Sequence, residues 1–472
     1  MAEQINPAGA STPGATYVRI PLSLTASGPA EGQPDADLSS LTFLHEAVCA
    51  ALRFWAPFLR FAGGDKEGVT QRLPARLEGQ ASRTEVARSV DRLLHANMGR
   101  FTLGLSPYAL WLAYADWAIH LSASPGKWQQ LAEKSLQEQV RFLVYMLSLA
   151  ADPASPPCIE PMPEDQRFQN EAWRRLPFNL ISQAFLLTEQ WWRNATTGIS
   201  GVSLHHQQVV AFMARQLLDA LAPTNFIALN PEVIEATLHE GGQNLVRGFA
   251  NFWEDFERAI NDEPPPGAEK FRPGQTVAIT RGKVVHRNRL IELIQYAPAT
   301  KEVQKEPVLI IPAWIMKYYI LDLSPENSLV KYLVDHGHTV FMVSWHNPGA
   351  EDRDLGMDDY LRFGVLDALE AVRAIVPDIK VNAVGYCLGG TLLSIAAAYL
   401  AQRNETFLNS ISMFAAQTDF TEAGELTLFV DESQISYLED IMWEQGYLDS
   451  RHMAGTFQLL RSSDLIWSRI TR

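Results

Sequence analysis

Cys387 is the residue whose setting most invites chemistry, because it stands in Gly385-Tyr386-Cys387-Leu388-Gly389-Gly390. A thiolate is a strong nucleophile, and exchange between a thioester and a thiol is nearly balanced, so an acyl group it captures stays transferable. A nucleophile of this kind works from a sharp, strained turn, whose neighbours two residues away must be nearly free of side chain. Gly385 and Gly389 meet that need, and Gly390 lets the following element start close by. The peptide N–H of Leu388 would then face the oxygen of an attacked carbonyl. The competing reading is a buried structural cysteine in a glycine-rich turn.

Positioning such a thiol takes a strand before it and a helix after it. Residues 381–386 have the apolar content of a buried strand, and 391–402 read as a helix of mostly small residues. That context favours the nucleophile over the structural cysteine, and a helix N-terminus favours the thiolate. The stretch 381–402 carries no charge and is long enough on paper to cross a bilayer. Its central glycines and the polar Asn382, Thr391 and Ser394 point to a strand and a helix instead, so no transmembrane segment is expected.

A wider alternation surrounds the motif. Strands are predicted at 308–311, 339–344, 381–386 and 410–415, with helices at 328–336, 358–376 and 391–402. Strands alternating with helices imply a parallel sheet covered on both faces, here of the α/β-hydrolase type. Shorter strands at 277–280, 283–286 and 290–295 precede it, with a turn at Arg281-Gly282. The second oxyanion amide should come from the loop after 308–311, which runs Pro312-Ala313-Trp314-Ile315-Met316-Lys317-Tyr318-Tyr319-Ile320. Its aromatic residues serve equally well as plain core contacts.

Upstream the period is helical throughout. Helices are predicted at 41–61, 83–100, 108–122, 128–150, 180–192, 205–221, 230–241 and 244–261, with a proline-rich linker at 152–163. The domain plan is a disordered tail over 1–40, an all-helical N-terminal domain over 41–265, an incomplete α/β core over 266–418 and a cap segment over 419–472. The tail lacks the basic and apolar regions of a signal peptide.

The chain of 472 residues is 47% hydrophobic and 20% charged, an ordinary globular composition. Its net charge of −15 argues against general nucleic-acid binding, which needs a basic face. Cys49, Cys158 and Cys387 are far apart in sequence and show no metal spacing and no disulfide framework, which suits a reducing cytosol.

Several of these segments resemble one family, the polyhydroxyalkanoate synthases. The resemblance is carried by 312–323 with Asn327-Ser328-Leu329-Val330, and by Gly337-His338-Thr339-Val340-Phe341. Ser344-Trp345-His346-Asn347-Pro348, Asp358-Asp359-Tyr360 and Val381-Asn382-Ala383-Val384-Gly385-Tyr386-Cys387 complete the set. Upstream, Ala214-Arg215-Gln216, Pro223-Thr224-Asn225-Phe226 and Asn230-Pro231-Glu232-Val233 are similar to the family's helical region, and 108–127 resembles a segment of its short-chain (class I-like) members. The resemblance implies a cytoplasmic acyltransferase that polymerises (R)-3-hydroxyacyl-CoA, with 3-hydroxybutyryl-CoA favoured, and releases CoA through a thioester on Cys387. It implies a homodimer on polymer granules, with no metal and no cofactor beyond the CoA thioester substrate. Carried over by position, Ile320 supplies the second oxyanion amide and Trp314 lines the same loop. Ala313 stands where the family usually has Pro, and Met316 where it has Asn, which puts the loop's geometry in question.

A catalytic thiol also needs a histidine and an acid. After Cys387 the sequence holds one histidine, His452, and acids that include Asp419, Asp431, Asp440, Asp449 and Asp464. One triad can be written with Asp431, at the end of a strand-like 425–430, and His452; surface positions are the preferred reading of both. The resemblance agrees, since 419–432 and 460–467 are similar to cap segments and the family's acid and histidine follow the cap. The chain is therefore expected to stop before them. His336 and His338 flank a helix end, and His346 follows a strand. Two other functions compete: a thiol-dependent ester hydrolase or depolymerase, and a non-catalytic chain that binds granules or pairs with a synthase.

Overall fold

Gly282–Arg287 (β1) and Ile291–Tyr296 (β2) form a hairpin that opens the sheet. Val308–Ile311 (β3), Val340–Trp345 (β4), Val381–Tyr386 (β5) and Leu408–Phe414 (β6) follow. The order across the sheet is β1-β2-β4-β3-β5-β6, antiparallel at the hairpin side and parallel from β4 to β6. This is the α/β architecture expected from the alternating pattern. The computed structural model describes residues 83–102, 104–261 and 263–468, all within one compact unit. The tail over 1–40, the helix predicted at 41–61 and Cys49 lie outside the described residues.

All four residues of β3 are buried, which is why that strand reads as an unbroken apolar run. Leu309 and Ile311 face one layer with Leu392, Leu393 and Ala396, and Ile310 faces the other with Val330 and Val334. Each such side chain contributes about 1.5–3 kcal/mol by leaving water. The first layer is built by the π-helical turn Tyr360–Leu366 with the helix Asp367–Ile375, and by the helix Leu388–Gln402. The second is built by the helix Leu329–Asp335. The edge strand β6 is different. Ile411, Met413 and Phe414 on it are each more than a third exposed.

Seven α-helices precede the sheet among the described residues: α1 (Arg83–Thr102), α2 (Pro107–Ser122), α3 (Pro125–Ala151), α4 (Phe178–Thr196), α5 (Leu204–Ala220), α6 (Pro231–His239) and α7 (Gln243–Ile260). Side-chain caps fix several of their starts; Asn230 accepts from the Glu232 and Val233 amides ahead of Pro231. In chain order the later helices are α8 (Leu329–Asp335), α9 (Asp367–Ile375), α10 (Leu388–Gln402), α11 (Glu432–Gln445) and α12 (Ser450–Leu460).

Two strand expectations are corrected. In 277–280 only Val277 forms a bridge, an isolated one with Pro273, because the segment's polar groups turn to Asp322 instead. The strand-like 425–430 is a 3-10 helix, Gly424–Phe429. Its backbone is satisfied locally, the Val430 amide bonding Thr427 at 3.2 Å, with no neighbouring strand. The uncharged stretch 381–402 is divided between β5 and α10, and no described helix is long and apolar enough to cross a membrane.

Candidate active site

Cys387 lies between β5 and α10 with φ 53° and ψ −128°, a left-handed backbone that L-residues adopt only when the surroundings enforce it. Three contacts enforce it here. Its N–H donates to the Phe414 carbonyl on β6 at 2.9 Å, and its own carbonyl accepts from Gly390 at 2.9 Å and Thr391 at 3.3 Å. Thr391 Oγ1 donates to the Gln417 carbonyl at 2.7 Å, tying the first turn of α10 to the chain just after β6. The thiol is half-buried.

The glycines make the turn possible. A Cβ on Gly389 would overlap the carbonyl oxygen of Ile311, and one on Gly385 would overlap the Gly390 backbone. Gly390 in turn packs on Ala416. Leu388 is the first residue of α10, so its N–H has no acceptor one turn back in its own helix. It is available to a ligand oxygen beside the thiol.

The loop after β3 closes over the same edge of the sheet. Its start is held by Trp345, a buried residue at the end of β4, whose Nε1 donates to the Pro312 carbonyl at 2.8 Å. Trp314 packs on Tyr360 at 5.5 Å between ring centroids, and Tyr360 on Trp345 at 5.6 Å. Burial pushes the Tyr360 hydroxyl above its ordinary pKa, with the Asp352 charge adding to the shift. Ile320 lies in the 3-10 turn Tyr318–Leu321, where its N–H already donates to the Lys317 carbonyl at 3.1 Å. The chain's second half thus brings Cys387, Leu388, Trp314 and the 312–321 loop to one edge. Trp345 and Tyr360 belong to the loop's support; the sequence placed both in resembling segments but gave them no role at the site.

The acid and histidine candidates sit elsewhere. Asp431 is the N-cap of α11, accepting from Ser433 at 2.8 Å and Gln434 at 3.0 Å, with His205 Nε2 3.7 Å away. Position 452 is on α12, and its side chain is outside the described ones. His346 turns to Asp352, at 3.0 Å, while its N–H donates to Leu290. His336 bonds the Tyr332 carbonyl at 2.7 Å and stacks on that ring. Among the described residues no histidine bonds Cys387. The ligand atoms of His346, Glu351 and Asp352 lie within 4.8 Å of one another at the surface, an acidic group already occupied by the His346 contact and the Gly349 amide.

The segment after β6 packs on the N-terminal helices. Gln434 accepts from the Ser106 amide at 2.8 Å and donates to the Gly104 carbonyl at 2.7 Å. His95 pairs with Asp440 at 2.7 Å, and Tyr437 is 2% exposed between them.

With this geometry established, three family matches can be placed. Residues 85–127 match the family described as poly-beta-hydroxybutyrate polymerase N terminal, and 164–333 match poly-beta-hydroxybutyrate polymerase (PhaC) N-terminus. Residues 306–444 match the alpha/beta hydrolase fold, which agrees with the observed sheet. A poly(3-hydroxyalkanoate) polymerase of Methylorubrum extorquens is 40% identical over 353 residues, covering 73% of this chain and 58% of that protein. A poly(3-hydroxyalkanoate) polymerase subunit of Rhizobium meliloti is 40% identical over 64% of this chain and 50% of its own length. The corresponding subunit of Cupriavidus necator is 36% identical over 65% and 52%. The chain spans about half the length of the curated relatives it matches.

Proposed function

The chain belongs to the poly-beta-hydroxybutyrate polymerase family, and from that premise we propose that it is an acyltransferase acting through a thioester on Cys387. The substrate is an (R)-3-hydroxyacyl-CoA, with 3-hydroxybutyryl-CoA favoured by the segment 108–127. The Cys387 thiolate adds to the thioester carbonyl, the carbon–sulfur bond to CoA breaks, and CoA leaves as a thiolate that takes up a proton. The acyl group then rests on Cys387 until the hydroxyl of another unit displaces it, lengthening the ester chain. The observation that carries this reading is the strained left-handed backbone of Cys387 at the mouth of α10. Strain of that kind persists where the surrounding structure over-determines it, as at a nucleophile.

Leu388 N–H stabilises the oxyanion, and the 312–321 loop supplies the second donor. Ile320 is the candidate carried over from the family; its amide must be shared with, or released from, Lys317 to serve. Trp314 lines the acyl side of the loop. Contact with polymer granules in the cytoplasm is part of the same proposal. The apolar face of α7 supports it, since Phe249, Phe252 and Trp253 are each more than half exposed on one side of an amphipathic helix. A homodimer is proposed from the family resemblance.

A second reading has an observation of its own. The described acid and histidine candidates are held elsewhere, Asp431 by the α11 amides and His346 by Asp352, which favours a chain that pairs with a synthase or binds granules without turnover. Incubation with 3-hydroxybutyryl-CoA separates the possibilities. CoA release with growing turbidity supports polymerisation, and CoA release without it supports a hydrolase. Neither signal supports the non-catalytic reading. Cys387→Ala should abolish either activity, and activity surviving that change would overturn the assignment of the thiol.

A further inference from the structure

Behind the 312–321 loop lies a buried carboxylate that no step of this chemistry uses. Asp322 follows the 3-10 turn Tyr318–Leu321 directly and is 1% exposed. Its Oδ1 accepts from Thr280 Oγ1 and from Ser328 Oγ, each at 2.6 Å. Its N–H closes the 3-10 turn on Tyr319, and its carbonyl accepts from Ala278 at 2.9 Å. Ser328 passes the contact on, since its Oγ also accepts from the Lys331 amide at the start of α8.

Placing a carboxylate in the interior costs several kcal/mol unless its neighbours answer it. No cation pairs with Asp322 among the described residues. Two short hydroxyl bonds, both to Oδ1, and two main-chain bonds hold it instead, while its buried Oδ2 has no hydrogen-bond partner among the described residues. Those bonds join the far end of the 312–321 loop to the N-terminus of α8, 6 residues further on, and to the chain before β1, 42 residues back. Tyr318 and Leu321, from the same turn, pack into the layer formed by Tyr296, Ile310 and Val334.

The loop is therefore fixed at both ends by different means. Trp345 holds its start at Pro312, and Asp322 holds its finish. We propose that Asp322 is a positioning residue: it sets where the backbone of the 312–321 loop lies relative to the Cys387 turn, and thereby the fit of the oxyanion site. The inference rests on the proposed acyl transfer, but the anchoring itself can be read without turnover. A misplacement of about 1 Å at such a site is enough to lose about a hundredfold in rate.

The test uses two reactions of the same thiol. Acylation of Cys387 by 3-hydroxybutyryl-CoA passes through an oxyanion, whereas alkylation by iodoacetamide does not. Asp322→Ala should slow acylation about a hundredfold and leave alkylation within a factor of about two. Thr280→Val removes one hydroxyl from a segment outside the loop and should produce a smaller loss in the same ratio. Asp322→Asn keeps an acceptor oxygen for both hydroxyls and should restore most of the rate. Equal losses in both reactions, or none in acylation, would overturn the proposal. Amide hydrogen exchange decides the anchoring in the protein without acyl donor. Exchange in Asp322→Ala should quicken selectively over 313–321, and unchanged exchange there would overturn it. A wild-type chain that alkylates but never acylates would instead defeat the proposed function, leaving the exchange result to judge the anchor.

Discussion

Gly389 packs directly against the carbonyl oxygen of Ile311, so the first turn of α10 touches the end of β3 with no room for a side chain. The obstruction is backbone on both sides, and Ile311 is in the middle of a buried sheet. Neither partner can rotate away. Gly389→Ala should therefore destabilise the fold by about 3 kcal/mol, the upper end of the usual cost of overpacking. Gly126→Ala, where nothing lies within 4 Å, is the control and should change little. Urea unfolding of the two variants gives the comparison.

Arg167 neutralises a buried acidic cluster in the helical region. Its guanidinium reaches Asp165 at 2.8 Å, Glu189 at 2.8 Å and Asp219 at 3.1 Å. Burial raises the pKa of Glu189 and of Asp219, and Arg167 pulls both back. Arg167→Met leaves three acids facing one another with no cation bonded to them, Arg215 acting only on Asp219 and from a distance. The expected loss is about 3–5 kcal/mol, the cost of breaking a buried pair. Because the folded pKa values of Glu189 and Asp219 are raised, their ionisation opposes folding as pH rises through those values. The variant's deficit should be largest near pH 8 and should shrink towards pH 5 in thermal unfolding. A deficit that is flat with pH would contradict this account.

Asp116 has the opposite sign. Its pKa is lowered, chiefly by the hydrogen bond from His206 at 2.6 Å; burial works against this, and the Ser203 amide lowers it by less. A carboxylate with a depressed folded pKa adds stability above its unfolded value and loses it as pH falls through the folded one. The unfolded value is the ordinary 3.8. The gap in Tm between the wild type and Asp116→Asn should therefore be present at pH 5 and close below about pH 4. Since Asp116 joins α2 to the start of α5, the same variant should loosen that corner in hydrogen exchange.

How much of this was legible in the sequence depended on whether a residue's neighbours in space were also its neighbours in the chain. The Cys387 turn was legible because strand, glycines and helix are consecutive, and β3 because every position is apolar. Helix α11 was not, since its buried face includes Gln434 as well as Tyr437 and Ile441. A buried glutamine breaks the apolar period, and its partners, Ser106 and Gly104, lie at the other end of the chain. Asp322 lay inside the resembling segment 312–323, but its anchoring role was not legible, because one of its two hydroxyl donors, Thr280, comes from a separate segment before β1. Asp431 did carry a signal of another kind. An aspartate immediately before Glu432-Ser433-Gln434 has the pattern of a helix start, obscured by the strand-like 425–430 before it.

Asp431 therefore offers the sharpest test of what this chain's acids do. As an N-cap it satisfies two amides of α11 that otherwise have no acceptor, and His205 stands beside it from α5. Both contacts are structural, and neither leads to Cys387. Replacing the cap by alanine should cost about 0.5–2 kcal/mol, while Asp431→Asn, which keeps an acceptor oxygen, should cost less. If Asp431 instead oriented a base for the thiol, the Asn variant would be the damaging one, because it removes the charge that stabilises a histidinium. Urea unfolding and Cys387 acylation by 3-hydroxybutyryl-CoA, measured on both variants, separate the two roles. The cap role requires that stability fall with Ala more than with Asn and that the acylation rate per folded molecule hold constant in both. A rate that drops in Asp431→Asn at unchanged stability would return this residue to the chemistry.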